Sequence, residues 1–590
     1  MLKRIGFVWV VMVLAIATSA VHAAAPFADR IPDDALIYAG WRGVEALVPQ
    51  YDKSNLKGLV ENSKLRAYLV ENLPKWIASV VVGDPDKVKQ MQEMLDGAEL
   101  LWRHPMAFYM GPIAMDMQQG MPKIKLACLC DAGADAPAVK DFAQKLVDLI
   151  DLPGGLKPIF NPTVAVDGTT VIFTMGSVDA ATFSAPAAPL AKSAAFTAAL
   201  KGMRDDAAFV FFYDVRQYID CIFNIVGPDN AAEIERPLNV FGISSLTQFA
   251  FTAGFDGPQW REQTFIGIDG PRHGMLTVLD APAITTDALH LVPQAAVAVS
   301  VHHIDMAKLW AAAREIYGID PASVLKFDGP VADASKMLGF DIEKDLIAAL
   351  GNEWIVYSAP VAEDGTYPTV LVQKVKDPAA IAKVLAGIEK QINVLGAGKV
   401  KAEKIDNGKF EVTGVRLPQV TVAWALRGDY LYVSTPEGIL MAADHVETKG
   451  GGGESITANP GFAKVLADLP GDKPSSLCYS EPAKLYPQVY RLANDLLPLA
   501  RLAGANIPGD LLPLPKKAAP FLAPGWSSAW SDATGYHVVK CTAFPQADLL
   551  AGQICGPTPI PVEILILSAP AILRAQAHAM VESPKDAPGN

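Results

Sequence analysis

Four residues from one stretch of this chain return, in order and at one distance, in a second stretch. Phe196, Leu200, Asp206 and Tyr213 recur as Phe462, Leu466, Asp472 and Tyr479, each 266 positions later. A shared register across a helix, a loop and a strand constrains the fold more than any single motif does, because it calls for one supersecondary unit written twice. Features found in both copies then read as scaffold, and features confined to one copy as candidates for function.

The matching extends outward. Ile31, Pro32, Asp33 and Asp34 lead into a run from Ala35 to Ala39 that carries Tyr38, and Val292, Pro293 and Gln294 lead into Ala296 to Val301. Met106 to Pro112 matches Trp354 to Pro360, 248 apart, and Pro122 to Asp131 matches Pro368 to Asp377 as alternating strands. Amphipathic helices follow, on Val139, Phe142 and Leu146 and on Ile381, Val384 and Ile388. Turns at Asp167 and Gly168 and at Arg427 and Gly428 mark hairpins. Each unit closes on further strands, Gln248 to Phe255 with Glu262 to Ile268, and Ser527 to Ser531 with Tyr536 to Ala543.

Helices alternating with hairpins indicate an α+β fold of two tandem similar domains, each an antiparallel sheet with helices packed on one face. The expected boundaries are a first unit over 28–285, a second over 286–550 and a C-terminal tail over 551–590. Ala181 to Lys192, the glycines Gly450 to Gly453 and the Pro-rich stretch Ile507 to Pro524 read as loops or linkers that supply no packed face.

Residues 1–23 hold Lys3 and Arg4, an apolar run beginning at Ile5 and small residues up to Ala23, the layout of a secretory signal peptide cleaved before Ala24. The expected destination is the periplasm or the cell exterior. Loss of Lys3 and Arg4 moves the net charge from −13 to −15, and the basic residues are scattered, which excludes nucleic acid as a partner. Glu563, Pro570 and Arg574 interrupt the apolar stretch Ile560 to Ala579, so it reads as a short helix lying on the body, with peripheral membrane contact as the alternative. The six cysteines read as buried thiols, with a bridge between Cys541 and Cys555 left open.

Familiar chemistry is sparse. Ser54 and Lys57 have the spacing of penicillin-recognising enzymes without their partner motifs, and Gly242 to Leu246 lacks the second glycine of a nucleophile elbow. Lys449 precedes the glycine run and no Lys then Ser or Thr follows it, so it is no phosphate loop and no cofactor is called for. His302, His303 and Asp305 are the metal candidates, although adjacent histidines on a strand face opposite ways and only one can share a ligand set. His104, His445 and His537 read as structural, and the acidic pairs Asp33 with Asp34 and Asp205 with Asp206 as turn residues bonded to nearby amides.

The two openings, and the order of strands and helices after them, resemble an uncharacterised family of exported bacterial proteins known only as a domain of unknown function. Its members begin with a signal peptide and a Leu-Pro-x-Asp turn before an aromatic-bearing strand. The likeness covers most of residues 28–545, with Gln294 standing where the second opening should carry Asp. It implies architecture and transfers no catalytic residue. The expectation is therefore an exported cell-envelope protein, non-enzymatic, that binds through the surface between its two similar domains. Two other classes remain: an exported hydrolase with dispersed catalytic residues, and a carrier of lipid or another apolar ligand, suggested by a mean hydropathy of +0.22.

Overall fold

The computed structural model describes residues 25–64, 85–116, 121–149, 157–227, 231–317, 328–359, 368–396, 400–406, 411–417, 421–447, 454–469, 474–502 and 511–545. The expectations for residues 1–23, Gly450 to Gly453, Asp472, Cys555 and the tail 551–590 lie outside them. The chain is α+β with a large antiparallel sheet. Its contacts divide it into two units. The first runs to His273 and includes Ile507–Ala523 and Asp532–Pro545; the second comprises Gly274–Asn506 and Pro524–Ser531.

In the first unit, strand β1 (Ile37–Trp41) pairs with β2 (Met106–Met110) on one side and β8 (Phe209–Asp214) on the other, so that Tyr38 lies between Tyr109 and Phe212. Outward from β2 come β5 (Lys125–Asp131), β7 (Thr170–Gly176) and β6 (Thr163–Asp167). Outward from β8 come β9 (Leu246–Asp256), β10 (Gln259–Ile268) and β20 (Gly535–Thr542). A small hairpin, β3 (Ala114–Asp116) with β4 (Met121–Lys123), makes its own ladder. The strand β20, expected to help close the second unit, is grouped with the first.

Period-two alternation gives this sheet two cores. Tyr38, Tyr109, Ala127, Phe212 and Ala250 pack on one face against Phe183, Leu190 and Phe196. Phe196 meets Tyr38 and Phe212 edge-on, with centroids 5.5 and 5.1 Å apart. The opposite face presents Trp41, Met106, Cys130 and Val171 to Val139 and Ala143 of the helix Ala136–Leu149. The expectation of helices on one face is thereby corrected. Both sides of the central strands are apolar, and both need cover.

Part of that cover comes from a stretch expected to supply none. The 3-10 turns Ala180–Phe183 and Leu190–Lys192 bury Phe183 and Leu190 completely, and the Leu190 amide donates to the Ile31 carbonyl at 2.7 Å. The Pro-rich stretch likewise buries Ala518 and Leu522. In the first of these stretches alanine and proline make tight turns whose two large apolar side chains, Phe183 and Leu190, point inward.

The opening turn has its own task. Tyr38 passes over Gly40 to donate to the Pro26 carbonyl (2.7 Å), and Tyr109 passes over Gly111 to donate to Asp34 (2.7 Å), which also pairs with Lys125 (2.8 Å). A Cβ at either glycine would overlap the hydroxyl. Asp206 accepts two bonds from Arg204, at 2.7 and 2.5 Å. Asp34 therefore binds side chains where bonds to turn amides were expected, while Asp206 binds Arg204 in addition to a backbone amide.

In the second unit, β11 (Ala298–His303) lies between β12 (Leu350–Ser358) and β18 (Ser476–Ser480). Beyond β12 come β13 (Thr369–Val375), β17 (Tyr430–Ser434), β16 (Thr421–Arg427), β15 (Glu411–Arg416) and β14 (Ala402–Asp406). Beyond β18 lies β19 (Gly525–Ser531). Apart from β14 and β15, which the sequence pattern did not announce, this is the succession of strands seen from β6 to β9.

The opening recurs as well. The Ile456 amide donates to the Val292 carbonyl (2.9 Å), and Asn459 caps the helix Pro460–Asp468 as Ser193 caps Ala194–Ala199. Phe462 meets Tyr479 edge-on at 5.2 Å, as Phe196 meets Phe212. The counterpart of Tyr479 is thus Phe212, and its sequence match to Tyr213 is off by one. A spacing of 266 through the helix becomes 267 in the strand, and a one-residue slip exchanges the faces. The buried member is accordingly expected to carry the stability: Phe212→Ala should cost roughly 3–5 kcal/mol and Tyr213→Ala clearly less, as read by chemical denaturation. Equal losses would contradict this registration.

Candidate functional site

With the registers in hand, the two units can be compared position by position. The same backbone bonds flank both central strands: the Arg42 amide donates to the Ala208 carbonyl and that of His303 to Ser475, while Leu36 accepts from Asp214 and Val297 from Glu481. Trp41 and His302 therefore hold equivalent places.

On the Trp41 side of the first unit, β8 presents Phe209, Phe211 and Tyr213, and β9 presents Phe249 and Phe251 opposite them. Their rings pack together, Phe209 with Phe251 at 6.1 Å and Phe211 with Phe249 at 5.9 Å. The matching places in the second unit are Ser476, Cys478 and Ser480 on β18 and Gly525 and Ser527 on β19. Where the first unit has five aromatic residues, the second has three hydroxyls, a thiol and a glycine on a ladder of the same register. Backbone hydrogen bonds hold the strands in either case, so the face can change without loss of the sheet.

His302 stands at the edge of this small polar face. Trp41 packs on Trp102, centroids 4.3 Å apart, and donates its Nε1–H to the Trp102 carbonyl at 3.1 Å. His302 instead lies in register between Trp354 and Ser476. Its Nδ1 is 2.8 Å from Ser476 Oγ and its Nε2 4.0 Å from Cys478 Sγ. Burial pushes the imidazole down to about 4, so the ring is neutral at neutral pH. A neutral ring has one N–H, and donating it from Nδ1 to Ser476 leaves the Nε2 lone pair directed to the sulfur.

His303 points the other way. Its Nδ1 is 2.9 Å from the Pro282 carbonyl, which can only accept, and its Nε2 is 3.4 Å from Glu353 Oε2, an oxygen that also accepts from Thr285 at 3.3 Å. Desolvation is the largest single influence and raises the Glu353 carboxyl, but the bonds from His303 and Thr285 and the charges of His303 and Lys374 together outweigh it and hold the group below the usual glutamate range. Asp305 accepts from the Ala307 and Lys308 amides, at 3.1 Å each, and caps the helix Met306–Tyr317. The three metal candidates are thus sent to three different places. Among the described residues no three His, Cys, Asp or Glu side chains converge as a metal site.

The remaining candidates have structural partners. Ser54 caps the helix Asn55–Glu61, accepting from the Lys57 amide at 3.2 Å, while Lys57 Nζ pairs with Asp52 at 2.9 Å. Ser244 donates to Asn239. His104 meets Asp135 at 3.1 Å, His445 the His290 carbonyl at 3.0 Å and His537 Asp532 at 3.0 Å. Among the described residues Cys128, Cys130, Cys221, Cys478 and Cys541 are thiols.

The sequence comparison passed over Ser476, Cys478, Ser480, Gly525 and Ser527. Its spacing of 266 sets Cys478 against buried Phe212, on the wrong face. The spacing of 267 sets it against Phe211 and exposes the replacement.

Comparisons with protein-family models, with curated proteins and with solved structures found no match to this chain.

The Glu353 contact has a testable consequence. A carboxyl held low in the folded state stabilises it above the unfolded value, and that contribution fades as pH falls through the folded value. Glu353→Gln is therefore expected to cost on the order of 2 kcal/mol near neutrality, measured by denaturant unfolding. The gap from the wild type should narrow only below the ordinary glutamate value of ~4.3.

Proposed function

We propose that this chain is an exported cell-envelope protein built from a duplicated α+β unit, and that it binds a partner and performs no catalysis. The observation that carries the reading is the exchange of Phe209, Phe211, Tyr213, Phe249 and Phe251 for Ser476, Cys478, Ser480, Gly525 and Ser527 on otherwise equivalent ladders. A scaffold retained twice and rewritten on one face is what a binding role asks of a duplication: one copy remains packing, the other gains polar contacts. The repeated strand order and the repeated docking of each opening on a 3-10 turn support the duplication.

The fate of the candidate nucleophiles supports the non-enzymatic part. Ser54 is a helix cap and Ser244 is bonded to Asn239. The charged start and apolar run of residues 1–23 support export, and the opening Ile31-Pro32-Asp33-Asp34, with the partial repeat at Val292 and Pro293, supports likeness to the uncharacterised exported family. Among the described residues no helix is long and apolar enough to cross a membrane.

Two measurements test the proposal. N-terminal sequencing of the protein from fractionated cells should begin at Ala24 in the periplasmic or secreted fraction; an intact Met1 in the cytoplasm would overturn export. A fluorophosphonate probe should leave every serine unlabelled. Stoichiometric labelling at one serine would replace this reading with the hydrolase one.

A further inference from the structure

We infer that His302 and Cys478 form a two-donor site for a soft monovalent cation, Cu(I) or Ag(I). His302 Nε2 and Cys478 Sγ lie 4.0 Å apart on one face of the neighbouring strands β11 and β18. Bonds of about 2.0 Å to nitrogen and 2.3 Å to sulfur span that gap at a wide N–metal–S angle, whereas a tetrahedral centre would draw the donors to about 3.5 Å.

Donor chemistry agrees with the geometry. Thiolate is a soft ligand that selects Cu(I), and imidazole serves copper equally well. Among the described residues no third His, Cys, Asp or Glu joins the pair, so zinc's demand for four ligands goes unmet. A thiolate, a neutral imidazole and a monovalent cation sum to zero charge, which suits the burial of His302. A divalent ion there would leave an uncompensated positive charge.

Ser476 completes the arrangement from outside. Its Oγ lies 2.8 Å from Nδ1, and in the tautomer that protonates Nδ1 the hydroxyl accepts while the Nε2 lone pair faces the sulfur. In the first unit the same places hold Trp41 and Phe211, which offer no such donors. Binding forms the sulfur–metal bond and releases the Cys478 thiol proton to solvent. Cys478 is only half-buried and so open to reagents.

The test uses the full chain, purified with its thiols reduced and without oxygen. It is titrated with Cu(I) held by a competing chelator, and separately with Ag(I) and Zn(II), while alkylation of each cysteine is mapped by peptide mass spectrometry. One equivalent of Cu(I) or Ag(I) should shield Cys478, and Zn(II) should not. His302→Gln keeps all six cysteines and should abolish the shielding, while Ser476→Ala should weaken binding roughly 10-fold or more. Alkylation of wild-type Cys478 at the same rate with and without these cations would overturn the site, as would shielding that survives His302→Gln or that Zn(II) provides equally. The wild-type result decides by itself if a variant fails to fold. None of these readouts depends on where the chain resides, so failure here leaves the export test unaffected.

Discussion

The five residues Ile37–Trp41 are hydrogen bonded along both edges, and the layers of the first unit are placed by that registration. Tyr38 faces the 3-10 turns and Phe196, while Trp41 faces the helix Ala136–Leu149. A shift of one residue would bring each side chain to the opposite layer. The opening turn prevents it: Tyr38 is tied to Pro26, and Asp34 holds both Tyr109 and Lys125. The second unit, where Ala295 stands in place of Asp34, uses other ties: Gln294 donates to the Ala458 carbonyl, and Asn459 donates to the Gln294 carbonyl and to Glu481.

This division of labour between backbone and side chains allows one face to change. In the first unit, aromatic pairs on β8 and β9 add roughly 0.5–1.5 kcal/mol each beyond the area they bury. The second unit forgoes them and keeps the ladder. What it gains is a row of small polar groups beside a buried, neutral histidine. Aromatic packing in one unit and small polar groups in the other thus occupy matching positions on the same kind of ladder.

Much of the scaffold was legible in the sequence. Alternation located the central strands, the Gly168 and Gly428 turns located hairpins, and the spacing of Val139 and Phe142 located a helix. The openings were visible because Pro32 and Pro293 punctuate them. What escaped notice depends on long-range packing. A stretch of alanines and prolines looks like a linker until Phe183 and Leu190 are seen beneath the sheet. The pair His302 and Cys478 is separated by 176 residues and is joined only by the pairing of β11 with β18. Adjacency in sequence favoured His303 and Asp305 instead, which the strand and the helix cap direct elsewhere.

The place of β20 bears on when the first unit can finish folding. Trp260 is paired with Thr542, so one edge of β10 must wait for a strand that the ribosome delivers almost three hundred residues later. At roughly 5–20 residues per second, that is a delay on the order of half a minute. Throughout it the newest edge of the sheet presents unmatched amides and carbonyls to whatever else is near, the condition under which strands join the wrong partner. A chain cut short before Gly535 would leave that edge of β10 without its partner strand.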